Sequence, residues 1–119
     1  MENVSMKSLC ERPFNPEVTM EQIVSESNFD KFKTWNVHPL IQCMSNDDDE
    51  CIGMMMKLDH PNYKDFVFIT LSWDDTYRVR FFDQRGEEVE DISMLYFDQL
   101  FEVIDRRLDK FMRYEVCLN

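Results

Sequence analysis

The chain has 119 residues, 24 of them acidic and 13 basic, for a formal net charge of −11, with 44% hydrophobic and 31% charged residues. That length suits one domain with a real core, and that composition excludes a disordered chain. Two glycines exclude P-loop and dinucleotide-binding readings, which need several for close backbone approach to phosphate, and the acidity disfavours contact with nucleic-acid backbones.

Residues 1–18 read as an irregular arm, with Pro13 and Pro16 bracketing Phe14-Asn15, ahead of an α+β core over 19–118. Met1-Glu2-Asn3-Val4-Ser5 lacks the basic and apolar regions of a secretory signal. No apolar run reaches membrane-spanning length. A cytoplasmic, reducing setting is therefore expected, with Cys10, Cys43, Cys51 and Cys117 as free thiols. Thr19-Met20-Glu21-Gln22 matches a capping box. It predicts helix over 20–34, as one bent helix or two short ones, with Phe29 and Phe32 beneath and Trp35-Asn36 closing it.

Val37 to Met44 reads as a strand that Pro39 confines to an edge. Ser45 to Asp49 is a polar turn, and Cys51 to Leu58 a second strand with Ile52, Met54, Met56 and Leu58 on one face. After the loop Asp59 to Asn62, Phe66 to Phe82 reads as a β-hairpin. A three-residue loop Asp74-Asp75-Thr76 pairs Trp73 with Tyr77, Leu71 with Val79 and Ile69 with Phe81 on a core face. Phe68, Thr70, Ser72, Arg78, Arg80 and Phe82 then share the opposite face; a one-residue slip would invert every side chain.

Gln84-Arg85-Gly86 is a turn with Gly86 suited to a left-handed conformation, and Glu87 to Glu90 a short strand. Ile92, Tyr96, Leu100, Val103, Ile104, Leu108 and Phe111 recur at helical spacing. Asp91 or Ser93 caps that helix, and Arg106, Arg107, Lys110 and Arg113 load its end, where cations suit the dipole. The predicted class is α+β: a single domain, 1–119, whose four- or five-stranded antiparallel sheet is flanked by an N-terminal helical segment and a long C-terminal helix.

No constellation carries catalysis. His38, Cys43, Cys51 and His60 match no zinc spacing. A calcium loop starting at Asp47 would put Ile52 where glycine belongs and Leu58 where the bidentate Glu belongs. Neither metal, cofactor nor enzymatic activity is expected. Aromatics interleaved with Arg78 and Arg80 suit single-stranded nucleic acid, but the net charge favours arginines paired with local acids.

The acidic groups remain. Asp98, Glu102, Asp105 and Asp109 are spaced 4, 3 and 4 on the outer face of the last helix, a row of roughly 16 Å at 1.5 Å per residue. Asp47, Asp48, Asp49 and Glu50, with Asp74 and Asp75 and with Glu87 to Asp91, extend it where they share a side of the domain. The expected function is non-enzymatic binding to a basic protein surface. Its sharper form is a nucleic-acid mimic that fills the cationic channel of a nucleic-acid-handling enzyme, without direct nucleic-acid or membrane binding. In size and charge the chain is similar to small acidic phage inhibitors of restriction and CRISPR systems as a class. Two alternatives stand beside it. One is an apolar contact through Phe68, Phe82, Met54, Met55 and Met56; the other is a small enzyme using Cys43 or Cys51 with a histidine.

Overall fold

The computed structural model describes residues 6–38, 40–45, 50–61 and 63–108. Strands β1 (Ile41–Met44), β2 (Cys51–Lys57), β3 (Phe66–Leu71), β4 (Tyr77–Phe82) and β5 (Glu88–Leu95) form one antiparallel sheet in the order β1-β2-β3-β4-β5. Helices α1 (Pro16–Ser25) and α2 (Phe29–Thr34) precede it, and helix α3 covers 100–108. The α+β class and a five-stranded antiparallel sheet are as the alternation predicts. The two short N-terminal helices match the second of the two forms expected.

Period-2 alternation puts Met54, Met56, Val67, Ile69, Val79 and Phe81 on one sheet face, all fully buried. Ile23 of α1, Trp35, and Leu100, Ile104 and Leu108 of α3 close over that face, also fully buried. Burying each such aliphatic side chain contributes about 1.5–3 kcal/mol.

The helix start differs from expectation. Asn15, not Thr19, is the N-cap: its Oδ1 accepts from the Glu17 N–H at 2.9 Å and the Val18 N–H at 3.4 Å, with Pro16 in the first turn. Asn followed by Pro is the stronger start, since Pro lacks only an N–H that would be orphaned anyway. Thr19 sits buried inside α1 instead, its hydroxyl 2.8 Å from the Tyr77 hydroxyl. Phe29, expected beneath α2, is exposed with the Lys33 ammonium over its ring. The expected irregular arm is ordered over its described part. Met6–Leu9 form a 3₁₀ turn, the Arg12 N–H donates to the Leu71 carbonyl, and the Phe14 N–H donates to the Cys51 carbonyl.

The hairpin keeps its three-residue loop but slides by one position. Ser72 N–H donates to the Thr76 carbonyl at 2.8 Å, so the loop is Trp73-Asp74-Asp75 and Leu71 pairs with Tyr77, Ile69 with Val79 and Val67 with Phe81. Such a loop ends on a left-handed residue. Asp75 takes that place with φ +69°; Asp tolerates it, whereas the β-branched Thr76 does not. The slide preserves parity, so the core face is unchanged, but Trp73 leaves the core and is 70% exposed.

The C-terminal pattern is divided differently. β5 runs through Ile92 to Leu95, pairing Ile92 with Val79 and Leu95 with Tyr77, and helix follows only from residue 100. Ile92 matched the helical period, but cross-strand pairing with β4 decides its state, and Tyr96 follows the strand as the N-cap of a short 3₁₀ turn. The expected continuation to Phe111 and Arg113 lies outside the described residues. Leu100, Ile104 and Leu108 do form its buried stripe.

Truncating Leu100 or Ile104 to Ala should cost about 2–5 kcal/mol in urea denaturation. Trp73→Ala should stay within about 0.5 kcal/mol of wild type. Reversed magnitudes would place Trp73 in the core and α3 outside it.

Candidate functional site: an acidic cleft and the adjoining sheet end

The cleft is built where α1 breaks into α2. Asn28 caps α2, its Oδ1 accepting from the Lys31 N–H at 3.2 Å. Trp35 closes α2 and inserts into the core, stacked on Phe101 of α3 at 5.2 Å between centroids with an 11° interplanar angle. A buried indole N–H needs an acceptor. Asp105 supplies it: Nε1 donates to Oδ1 at 2.9 Å, and the Lys31 ammonium lies 3.6 Å from the other oxygen.

Asp105 therefore leaves the expected outer stripe. It is 8% exposed and ties α3 to α2. Its position beside Ile104 puts it at the edge of the buried face, where Trp35 captures it. Glu102 stays exposed and pairs with Arg106 one turn on. Asp109 lies outside the described residues, so the stripe reduces to Asp98 and Glu102 with Asp105 turned inward.

These three carboxylates still meet. With Glu26 from the helix break they line an open cleft of about 460 Å³ between α1–α2 and α3, joined there by Lys31 and Arg106, with Phe101 also in its lining. Lys31 is engaged by Asp105 and Arg106 by Glu102, whereas Glu26 and Asp98 have no ion-pair partner among the described residues. Glu26 was not singled out from the sequence; its only signal is its place between the two helix patterns.

The hairpin acids sit at one end of the sheet. In a meander the β1–β2 and β3–β4 connections share an end with the finish of β5, and this places Glu50, Asp74, Asp75 and Asp98 at that end. Asp74 Oδ1 accepts from the Thr76 hydroxyl at 2.6 Å and its N–H at 3.1 Å, which holds that carboxyl below the usual range. Asp75 pairs with Arg12. Glu11 accepts from the Trp73 N–H at 3.0 Å. Asp47, Asp48 and Asp49 lie outside the described residues. The same end exposes Trp73, Met94, Tyr96 and Phe97, a set that the sequence pattern placed in the core or left unremarked.

The arginines are occupied by β5. Arg78 grips Asp91 with two bonds of 2.9 and 2.6 Å, Arg107 pairs with Glu90 at 2.7 Å, and Arg80 Nε lies 3.6 Å from Glu88. Arg80 is 5% exposed, and burial lowers its pKa. Phe68 is 1% exposed and Phe82 is buried, as are Met54 and Met56. Met55, on the same face as Phe68, is half-buried, while Met54 and Met56 belong to the core on the opposite face. His38 is exposed, while His60 is buried in a tight turn with Tyr63. Among the described residues no group of three or more His, Cys, Asp or Glu is placed to hold a metal, and no helix is long and apolar enough to cross a membrane.

The Arg78 hydrogen bonds hold the Asp91 carboxyl below its ordinary range. Its folded value is thus below the unfolded one of about 3.9. The pair's stabilisation is present above that unfolded value and is lost as pH falls through the folded value. The stability difference between wild type and Asp91→Asn should be largest near neutral pH and shrink as pH falls below the unfolded carboxyl value of about 3.9; a difference that persists undiminished in acid would remove the ion pair as its source. No protein-family model matches the chain, and no curated protein or solved structure matches it either.

Proposed function

We propose that this chain is a non-enzymatic binding protein whose acidic cleft takes cationic side chains from a basic protein partner. The observation that carries the reading is the cleft itself, where Glu26 and Asp98 have no ion-pair partner among the described residues. A guanidinium entering there meets carboxylates, which its planar fork matches better than an ammonium does. Trp73, Tyr96 and Phe97 at the adjoining sheet end are the residue types that anchor interfaces. The surrounding acids and the −11 net charge supply attraction at long range.

The nucleic-acid mimic is the finer form of this proposal. With Asp105 turned inward it rests on the shared position of Glu50, Asp74, Asp75 and Asp98 at one end, not on an even row along α3. It requires that DNA or RNA displace the chain from its partner. Partner binding indifferent to nucleic acid would leave the basic-surface reading and remove the mimic.

The test is an NMR titration of the labelled chain with a short oligo-arginine peptide across salt concentrations. Shifts should gather at 26–31 and 98–106 and fade as salt rises. Single exposed pairs are worth about 0–1 kcal/mol, so a double reversal is needed: Glu26→Lys with Asp98→Lys should weaken binding on the order of tenfold, chiefly through the on-rate. Shifts spread evenly over all surface carboxylates, or a double variant that binds as wild type does, would sink the proposal.

A further inference from the structure

The far face of the sheet holds a second small core beneath the N-terminal arm. Gly53 of β2 pairs with Cys43 of β1 on that face. A Cβ built at Gly53 would meet Phe68 Cζ at 2.6 Å and Cys10 Sγ at 3.0 Å. Only a residue without a side chain lets the Phe68 ring and the Cys10 sulfur settle there. The arm lowers Cys10 into that space, with its thiol 3.4 Å from the Met6 carbonyl and its sulfur 3.8 Å from Cys43 Sγ. Two half-buried thiols, 33 residues apart in sequence, are thus immediate neighbours.

We propose that Cys10 and Cys43 form an oxidisable clasp, in which a peroxide closes a disulfide that ties the N-terminal arm to edge strand β1. The sulfur of Cys43 attacks one peroxide oxygen. The O–O bond breaks, the sulfur is oxidised to sulfenic acid, and the departing hydroxide leaves as water with the thiol proton. Cys10 sulfur then attacks Cys43 sulfur, the S–O bond breaks, and a second water carries away the Cys10 proton. Two thiols and one peroxide become one disulfide and two waters.

The order follows from the surroundings. Burial, with Cys43 beside it, pushes the Cys10 thiol up to about 12, so Cys10 is the poorer first nucleophile, and its 3.8 Å distance from Cys43 Sγ makes it the thiol that meets the sulfenic acid. Cys51 is nearby but buried, its thiol donating to the Gly53 carbonyl at 3.2 Å. The arm is also anchored to the β3–β4 loop by Arg12 on Asp75 and Glu11 on the Trp73 N–H. The clasp adds a covalent anchor at the β1 side.

The full chain, carrying Cys117→Ser so that the fourth thiol takes no part, is reduced, exposed to equimolar hydrogen peroxide, alkylated and mapped by mass spectrometry. The expected product is two hydrogens lighter, with Cys10 and Cys43 peptides cross-linked. Its Tm should be raised by roughly 5 °C or more and should return on adding dithiothreitol. Cys10→Ser and Cys43→Ser each abolish the shift, and Cys51→Ser retains it. A bridge from Cys43 to Cys51, or sulfinic acid at Cys43 with Cys10 still open to alkylation, overturns the proposal.

Discussion

Trp35 is fully buried, and its N–H has to be satisfied in a place water does not reach. Asp105 answers from α3, and much else is set by that bond. With Asp105 turned toward α2, the helix has one allowed rotation: Leu100, Ile104 and Leu108 face the sheet while Glu102 and Arg106 face outward. Stacking of Phe101 on the indole fixes the remaining freedom. Removing the carboxylate would strand a buried donor, a loss of about 1–3 kcal/mol. The cleft exists because two helices meet at this bond without closing the space beyond it.

Alternation carried most of the sheet. Met54, Met56, Ile69, Val79 and Phe81 could be placed on one face from the sequence, and a slip of the hairpin loop by one position left that face intact because parity did not change. What was not legible depended on competition between local options. Thr19 looked like a cap, but Asn15-Pro16 offered a better one. Ile92 satisfied a helical period by coincidence, and only β4 alongside could claim it for a strand. Asp105 was readable as a charge on a helix; that a tryptophan 70 residues earlier would need it was not. The cleft was half legible, with Asp98 and Glu102 in view and Glu26 and Phe101 hidden in positions that only tertiary packing brings together.

The cations are unevenly deployed. Arg78, Arg80 and Arg107 are committed to Asp91, Glu88 and Glu90 on a single strand. In the cleft, Lys31 and Arg106 neutralise Asp105 and Glu102, while Glu26 and Asp98 have no ion-pair partner among the described residues. Under the proposed basic-surface reading, a net charge of −11 would steer an approaching cationic surface before contact.

Both edges of the sheet carry irregularities. The register shifts between Cys43 and Met44 on β1, and twice along the β4–β5 pairing, where Met94 adopts φ +61°. β1 has four residues, and β5 bears Glu88, Glu90 and Asp91. A short strand on one side and a kinked, charged strand on the other are poor templates for hydrogen bonding to a foreign strand. The sheet is thereby guarded against growing sideways into aggregates.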